Sequence, residues 1–332
     1  MKIEDLNKND NIVGHGRGYK ITKGKQTKKM ARIIFVKEKL PKAKLKKEEI
    51  IPKKIGKEIT DVIEVGNVVA LSKMKKKIVD RKDRHRPSPC GVSIGHEDTT
   101  AGTQGAIVLA NYENTEYDWL PCDTNPIITW IVKTFTNCEL MKKIMIPKEG
   151  IVRMILSNNH VLANECMENE PIPVGDLILQ PGPYDGGNPK DDAIGELYDA
   201  VPLKKSNNTV DAALAMPFSQ ADISDHILDI GLVAGTATAK VGEVIKKSGR
   251  TTGFTEAKVI AIDATINISY DNGVLQFVKQ IVTDYMSDGG DSGSLVLNDK
   301  NEAIGLLFAG SNKVTLINPI SEVMDALNIK FK

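Results

Sequence analysis

The sequence predicts a mostly β protein, built as a sandwich or barrels, preceded by a small basic α+β domain. Three observations point there. From residue 90 onward, short β-branched runs alternate with glycine-rich turns, and helical spacing is scarce. The charge is unevenly divided: residues 1–86 carry 26 Lys+Arg against 11 Asp+Glu, and the remainder carries 18 against 32. A chain of 332 residues is also long enough for two or three domains with sizeable cores.

The basic stretch offers two strands. Ala31–Val36 is a β-branched run, and Thr60–Val65 has alternating character. Between them, residues 37–57 are charged and interrupted by Pro41 and Pro52, which favours a loop with one helical turn. The lysines and arginines from Lys73 to Arg86 read as an exposed linker. Further strands are expected at Gln104–Ala110, Gly150–Ser157, Asp176–Gln180, Ala212–Ala215 and Val241–Lys247. Others follow at Lys258–Thr265, Leu275–Thr283, Gly293–Leu297 and Ala303–Ala309. Ser321 as a cap, with apolar helical spacing through Leu327, predicts a C-terminal helix. The expected division is residues 1–86, 87–222 and 223–332, with an insertion over 111–147 that holds both tryptophans. That insertion reads either as a helix packed on the outside or as a lid or homo-oligomer contact.

Composition narrows the classes of function. The basic stretch fits a solvated domain docked on an acidic body, or a surface for nucleic acid. Tyr19 and Phe35 are its aromatics among many lysines, which argues against base stacking. Cys90, Cys122, Cys138 and Cys166 form no Cys-x-x-Cys pair and no His/Cys cluster, so neither metal nor cofactor is expected. No segment approaches 18 apolar residues, so no membrane span is expected, and Met1–Asp5 opens no apolar leader. These features predict a cytoplasmic chain with reduced thiols.

The chemistry sits in three stretches. In Asp288-Gly-Gly-Asp-Ser-Gly-Ser294, Ser292 lies among glycines, where a hydroxyl is exposed and backbone N–H groups can converge on one point. The same string is also good turn chemistry. In Ile155–Ala163 an apolar run ends at His160, and in Asn208–Ala215 Asp211 is followed at once by small and apolar residues. Histidine, aspartate and serine in this order form one of the known arrangements of a nucleophilic triad. A serine hydroxyl needs a base to remove its proton, and a base needs an orienting partner.

The chain resembles the trypsin-like serine proteases of the chymotrypsin fold, and within them the bacterial and plant group typified by the rice Narrow Leaf protein. The strings that carry this are Arg86–Pro87, Gly91–His96, Thr100–Thr103, Leu156–Ala163, Gln180–Gly187, Asn208–Ala213, Gly249–Gly253 and Gly290–Gly293, with looser support from Gly18–Lys20 and Ile59–Gly66. The resemblance implies a chymotrypsin-like double β-barrel and an endopeptidase acting on protein or peptide substrates through an acyl-enzyme. His160, Asp211 and Ser292 would be catalytic, with the N–H groups of Gly290 and Ser292 as oxyanion hole. Met286 and Ser287 would lie at the base of the primary pocket, and Phe308, Ala309, Gly310 and Ser311 would pair with substrate backbone. Asp291, which pairs with a freed N-terminus in activated relatives, is expected here to bind its own turn. The absence of an acidic residue at the pocket base implies a small or apolar residue before the cut. A latent or non-proteolytic interaction module on the same scaffold is the alternative, and an esterase using the same triad a third.

Overall fold

A computed structural model describes residues 9–22, 25–46, 49–70, 81–113 and 149–332. The insertion expected over 111–147 therefore lies, beyond residue 113, outside the described residues, as does most of the linker.

The N-terminal stretch supplies β1 (Ile12–Thr22), β2 (Lys25–Val36), β3 (Lys54–Ile55), β4 (Glu58–Glu64) and β5 (Val69–Ala70). Next come β6 (Ser88–Cys90), β7 (Ser93–His96), β8 (Gly102–Thr103), β9 (Ala106–Glu113) and β10 (Glu149–Ser157). A single helical turn, α1 (Asn159–Leu162), leads to β11 (Leu177–Leu179), β12 (Ala193–Ala200) and β13 (Ala213–Pro217). The last third holds β14 (Ile223–Ile227), β15 (Gly235–Thr236), β16 (Val244–Gly249), β17 (Gly253–Tyr270) and β18 (Gly273–Asp284). It ends with β19 (Leu295–Leu297), β20 (Glu302–Gly310), β21 (Val314–Pro319), α2 (Ile320–Leu327) and β22 (Ile329–Lys330).

These strands form two large sheets, and the fold is mostly β. The first has eight strands in the order β22-β9-β10-β13-β12-β11-β7-β8. Its core is a cluster that includes Met154, Ile155, Leu156, Ile178, Leu197 and Leu214, all buried. The second has twelve strands, with the main path β16-β19-β20-β21-β18-β17-β1-β2-β4-β3. The C-terminal β22 returns to the first sheet, where Ile329 pairs with Ala110. Helix α2 begins two residues earlier than expected. Its cap position is Pro319 and no side chain caps it, so Ser321 lies inside the first turn instead of capping it.

The strand β17 is eighteen residues long, more than twice the length the sequence pattern suggested. Ala257, Val259 and Ala261 are buried on one phase, and Ala264, Ile266, Ile268 and Tyr270 on the other. A bulge causes the change. Asp263 takes a positive φ of 51°, and the register against β18 shifts between Ala261 and Ala264. An extra residue in one strand inverts the alternation while the strand continues.

The basic N-terminal stretch is laid on the second sheet. Strand β1 pairs antiparallel with β17 through Gly14↔Ile266, His15↔Thr265 and Arg17↔Ile262. A Cβ at Gly14 would meet the Thr265 carbonyl oxygen at 1.9 Å, and one at Gly18 the Ile260 oxygen at 2.2 Å. The glycines that hid β1 from a β-propensity reading are what let its backbone approach. Val13, Ile33, Phe35, Val65 and Val68 share one apolar cluster with Ala261, Phe277 and Phe308. Backbone ladder and apolar contact make this join, and one described ion pair, Lys313 with Glu64, crosses it. Charge complementarity instead operates further along the chain, where Arg81 pairs with Asp229, Lys82 with Asp185 and Arg84 with Asp192.

Candidate active site

Two sheets contribute to one buried polar site. His160 sits in the one-turn helix that follows β10, and Asp211 immediately precedes β13, which pairs with β10 through Ser157↔Ala213. Adjacent strands thus deliver both residues to the same end of the first sheet. His160 Nδ1 lies 2.6 Å from Asp211 Oδ2, and the His160 backbone N–H donates to Asp211 Oδ1 at 3.2 Å. Neither side chain has any exposed surface.

The Asp211 carboxylate has a further partner that sequence reasoning missed. The Tyr270 hydroxyl, at the end of β17, donates to Asp211 Oδ2 at 2.6 Å. Burial, then the adjacent Asp211 charge, pushes the Tyr270 phenol well above its ordinary value, so it stays a donor. The signal that could have found it was hidden by the bulge in β17. The Asp211 main chain is also held, with Asn158 Nδ2 donating to its carbonyl at 2.6 Å and its N–H donating to Asn318 Oδ1 at 3.0 Å.

His160 titrates above the ordinary histidine value. Burial pulls it down, but the Asp211 charge and hydrogen bond, with Glu165 adding, outweigh that and favour the imidazolium. Its Nε2 is buried and has no hydrogen-bond partner among the described residues. A buried polar atom left open is costly, and such an atom marks a place where a partner is expected.

Ser292 lies in the turn between β18 and β19 and is 1% exposed. Its hydroxyl donates to the Phe308 carbonyl at 3.3 Å rather than to His160. Gly102 ties the serine turn to the histidine turn. A Cβ there would meet Val161 Cγ2 at 2.4 Å on one side and the Ser292 carbonyl oxygen at 2.9 Å on the other. Thr103 N–H donates to that same oxygen at 2.7 Å. Gly290 has φ +95°, and a Cβ would lie 2.5 Å from both Arg250 Nη1 and Thr251 Oγ1, so a side chain is excluded there.

Asp291 is fully buried and held by its own surroundings. Its Oδ1 accepts from the N–H groups of Thr251 at 2.9 Å and Thr252 at 3.1 Å. Its Oδ2 accepts from Asp288 N–H at 3.0 Å, Thr252 Oγ1 at 2.6 Å and Lys247 Nζ at 3.2 Å. Lys247, from β16, is itself completely buried, and burial lowers its pKa against the opposing pull of Asp291. The Lys247 side chain thus meets Asp291 inside the protein. Arg250 of the Gly249–Gly253 string is clamped by the Asp185 carboxylate, with Nε to Oδ2 at 2.6 Å, and lies 5.1 Å over the Tyr184 ring. The Gln180–Gly187 string thus braces the loop beside the serine.

Met286 and Ser287 are buried beside β21. Met286 N–H donates to Thr315 Oγ1 at 3.1 Å, and the Ser287 and Thr315 hydroxyls lie 2.7 Å apart. Phe308, Ala309 and Gly310 form the end of β20, and Ser311 follows it. No group of three or more His, Cys, Asp or Glu suited to a metal occurs among the described residues. Cys90 and Cys166 are buried free thiols, and burial pushes Cys90 up to about 12.

No family model matches the chain. It is 35% identical over 103 residues to Serine protease 1 of Streptomyces fradiae, covering 29% of this chain and 27% of that protein. The match thus spans about a quarter of the relative's length. Among solved structures the chain is similar to Thermobifida fusca protease A, with a TM-score of 0.45 and 14% identity over 73% of this chain and 96% of that one. It is also similar to a glutamic-acid-specific serine protease, at TM-score 0.45 and 16% identity over 74% and 100% of the two chains. Nocardiopsis protease gives a TM-score of 0.43 and 15% identity over 73% and 97%. No helix among the described residues is long and apolar enough to cross a membrane.

Proposed function

We propose that this chain is a serine endopeptidase of the Narrow Leaf-type group, in which Ser292 is the nucleophile, His160 the general base and Asp211 its orienting partner. The observation that carries the reading is the 2.6 Å His160–Asp211 hydrogen bond beside a His160 Nε2 that is buried and open. Asp211 fixes the tautomer with the proton on Nδ1, which leaves Nε2 as the basic atom. The Ser292 hydroxyl leaves the Phe308 carbonyl by side-chain rotation and gives its proton to Nε2 as Oγ attacks a peptide carbonyl carbon. The N–H groups of Gly290 and Ser292 receive the developing oxyanion. His160 then protonates the leaving amine, and water repeats the sequence on the acyl-enzyme.

The pocket base supports a small or apolar residue before the cut, since Met286 and the Ser287–Thr315 hydroxyl pair offer no charge there. Cytoplasmic residence is part of the same proposal, supported by the buried free thiols of Cys90 and Cys166. Latency on this scaffold is a second reading, favoured by the Ser292 hydroxyl being engaged by Phe308. Labelling with a fluorophosphonate, compared between the native chain and Ser292→Ala, tests the nucleophile. A peptide-library digest then separates peptidase from esterase. Native protein that neither labels nor cuts any peptide overturns the reading.

A further inference from the structure

We infer that the chain carries its own pseudosubstrate: residues 65–70 occupy the backbone edge on which a peptide substrate would pair, and hold the enzyme self-inhibited. The inference rests on the peptidase reading above and adds its regulation. Strand β20 pairs with β21 on one side as far as Gly310↔Thr315. On its other side β19 stops at Leu295↔Leu306. Ala309 and Gly310 therefore run past β19, one residue beyond the Phe308 carbonyl that accepts the Ser292 hydroxyl. A strand edge beside a nucleophile is a place where an extended peptide docks by strand addition.

The chain fills that edge itself. Strand β5 pairs antiparallel with β20 through Gly310↔Val69 and Ala309↔Ala70. Its direction carries the backbone from Gly310 toward Phe308, and so toward Ser292. Residues before it are anchored. Val65 and Val68 are 1% and 3% exposed within the cluster that holds Phe308, Ala309 and Tyr270. Ser311 Oγ donates to the Val65 carbonyl, and Lys313 pairs with Glu64. The segment Val65-Gly-Asn-Val-Val-Ala70 is uncharged, in keeping with an uncharged pocket base. The opposite edge of β5 meets β17 at Ser269↔Val69, next to the Tyr270 that holds Asp211. Ser292 and His160 are correspondingly closed off, at 1% and 4% exposed. Two residues make a short ladder, so a substrate with a longer one can displace it.

The test uses the full chain, native and with Val69→Pro and Ala70→Pro together. Proline has no N–H to give the ladder. With a fluorogenic peptide bearing alanine or leucine before the cut, the expected kcat/KM of the variant is at least tenfold higher, chiefly through a lower KM. A synthetic hexapeptide of residues 65–70 is expected to inhibit the variant competitively and the native chain weakly. Equal kcat/KM with no inhibition by the hexapeptide overturns the inference. Fluorophosphonate labelling separates the two readings. If Ser292 labels in neither protein, the peptidase reading fails and takes this one with it. If both label and their kcat/KM values are equal, this one fails alone. Should the proline variant lose its melting transition, hydrogen exchange on the native chain decides. Exchange of residues 65–70 is expected to accelerate when a peptide aldehyde occupies the site, and unchanged exchange overturns the inference.

Discussion

In the first sheet the polar groups of the site converge on one carboxylate, Asp211, and in the second they converge on another, Asp291. Both are completely buried and both accept several hydrogen bonds. Their partners differ. Asp211 is bound by an imidazole, a phenol and the His160 backbone N–H. Asp291 is bound by three backbone N–H groups and a hydroxyl from its own turn and the β16–β17 turn, and by the Lys247 side chain from β16. Burial and residue type are therefore the same, and the partners separate a carboxylate tied to a histidine and a tyrosine from one tied to the backbone of a turn.

The largest effect expected tests whether the two halves act as one. Ser292→Ala and His160→Ala are each expected to lower kcat by on the order of 10⁴-fold or more. Because the residues act as a unit, the double variant should be little worse than either single one. Losses that add in log rate, measured by steady-state kinetics with melting temperatures unchanged, would break the assignment.

The next test strips the second carboxylate of its cation. Lys247→Met leaves the buried Asp291 charge unpaired and is expected to cost about 3–5 kcal/mol of stability. Chemical denaturation measures it. Labelling of Ser292 should fall in proportion to the folded fraction if Asp291 only fixes the turn.

Tyr270→Phe acts on the first carboxylate without removing it. Loss of one hydrogen bond corresponds to about 1 kcal/mol, or roughly a fivefold fall in kcat. The pH profile gives the sharper reading. His160 is raised above its ordinary value, so the neutral base forms only at a pH above 6.5, and the acid limb of kcat/KM should lie there. Without the Tyr270 donor the Asp211 charge bears more fully on His160, and that limb should move up further. A limb at or below 6.5 in the native chain would contradict the Asp211 attraction.

The smallest effect concerns the first sheet alone. Glu196 on β12 is pushed up to about 7 by burial. The folded state then binds the proton more tightly than the unfolded state does. Stability is greatest below the unfolded value near 4.5 and declines as pH rises to about 7. Glu196→Gln should remove this decline and stabilise the chain near neutral pH by on the order of 1 kcal/mol. Melting curves across that range check it.

The strands of both sheets were legible where apolar runs were unbroken, as at Gly150–Ser157 and Ala303–Ala309, observed as β10 and β20. The pairing of His160 with Asp211 also followed, because each ends or begins such a run. What stayed hidden had local chemistry that masks periodicity. Glycines at 14, 16 and 18 disguised β1, and the bulge at Asp263 cut β17 in two, taking Tyr270 out of the strand. The partners of Asp291 were out of reach for another reason. Lys247 lies 44 positions away and reads as one more charge in a polar strand until burial singles it out.

The seam between β1 and β17 has a practical consequence for anyone who would trim the N-terminal stretch from the chain. Removing the first seventy residues would uncover the edge of β17 around Ile262–Ile266, beyond the part paired with β16, together with the apolar faces of Ala261, Phe277 and Phe308. A bare edge of that kind recruits other chains. A trimmed protein should therefore precipitate or form β-rich assemblies, and its insolubility would report on a missing neighbour, leaving the chemistry of the site unjudged.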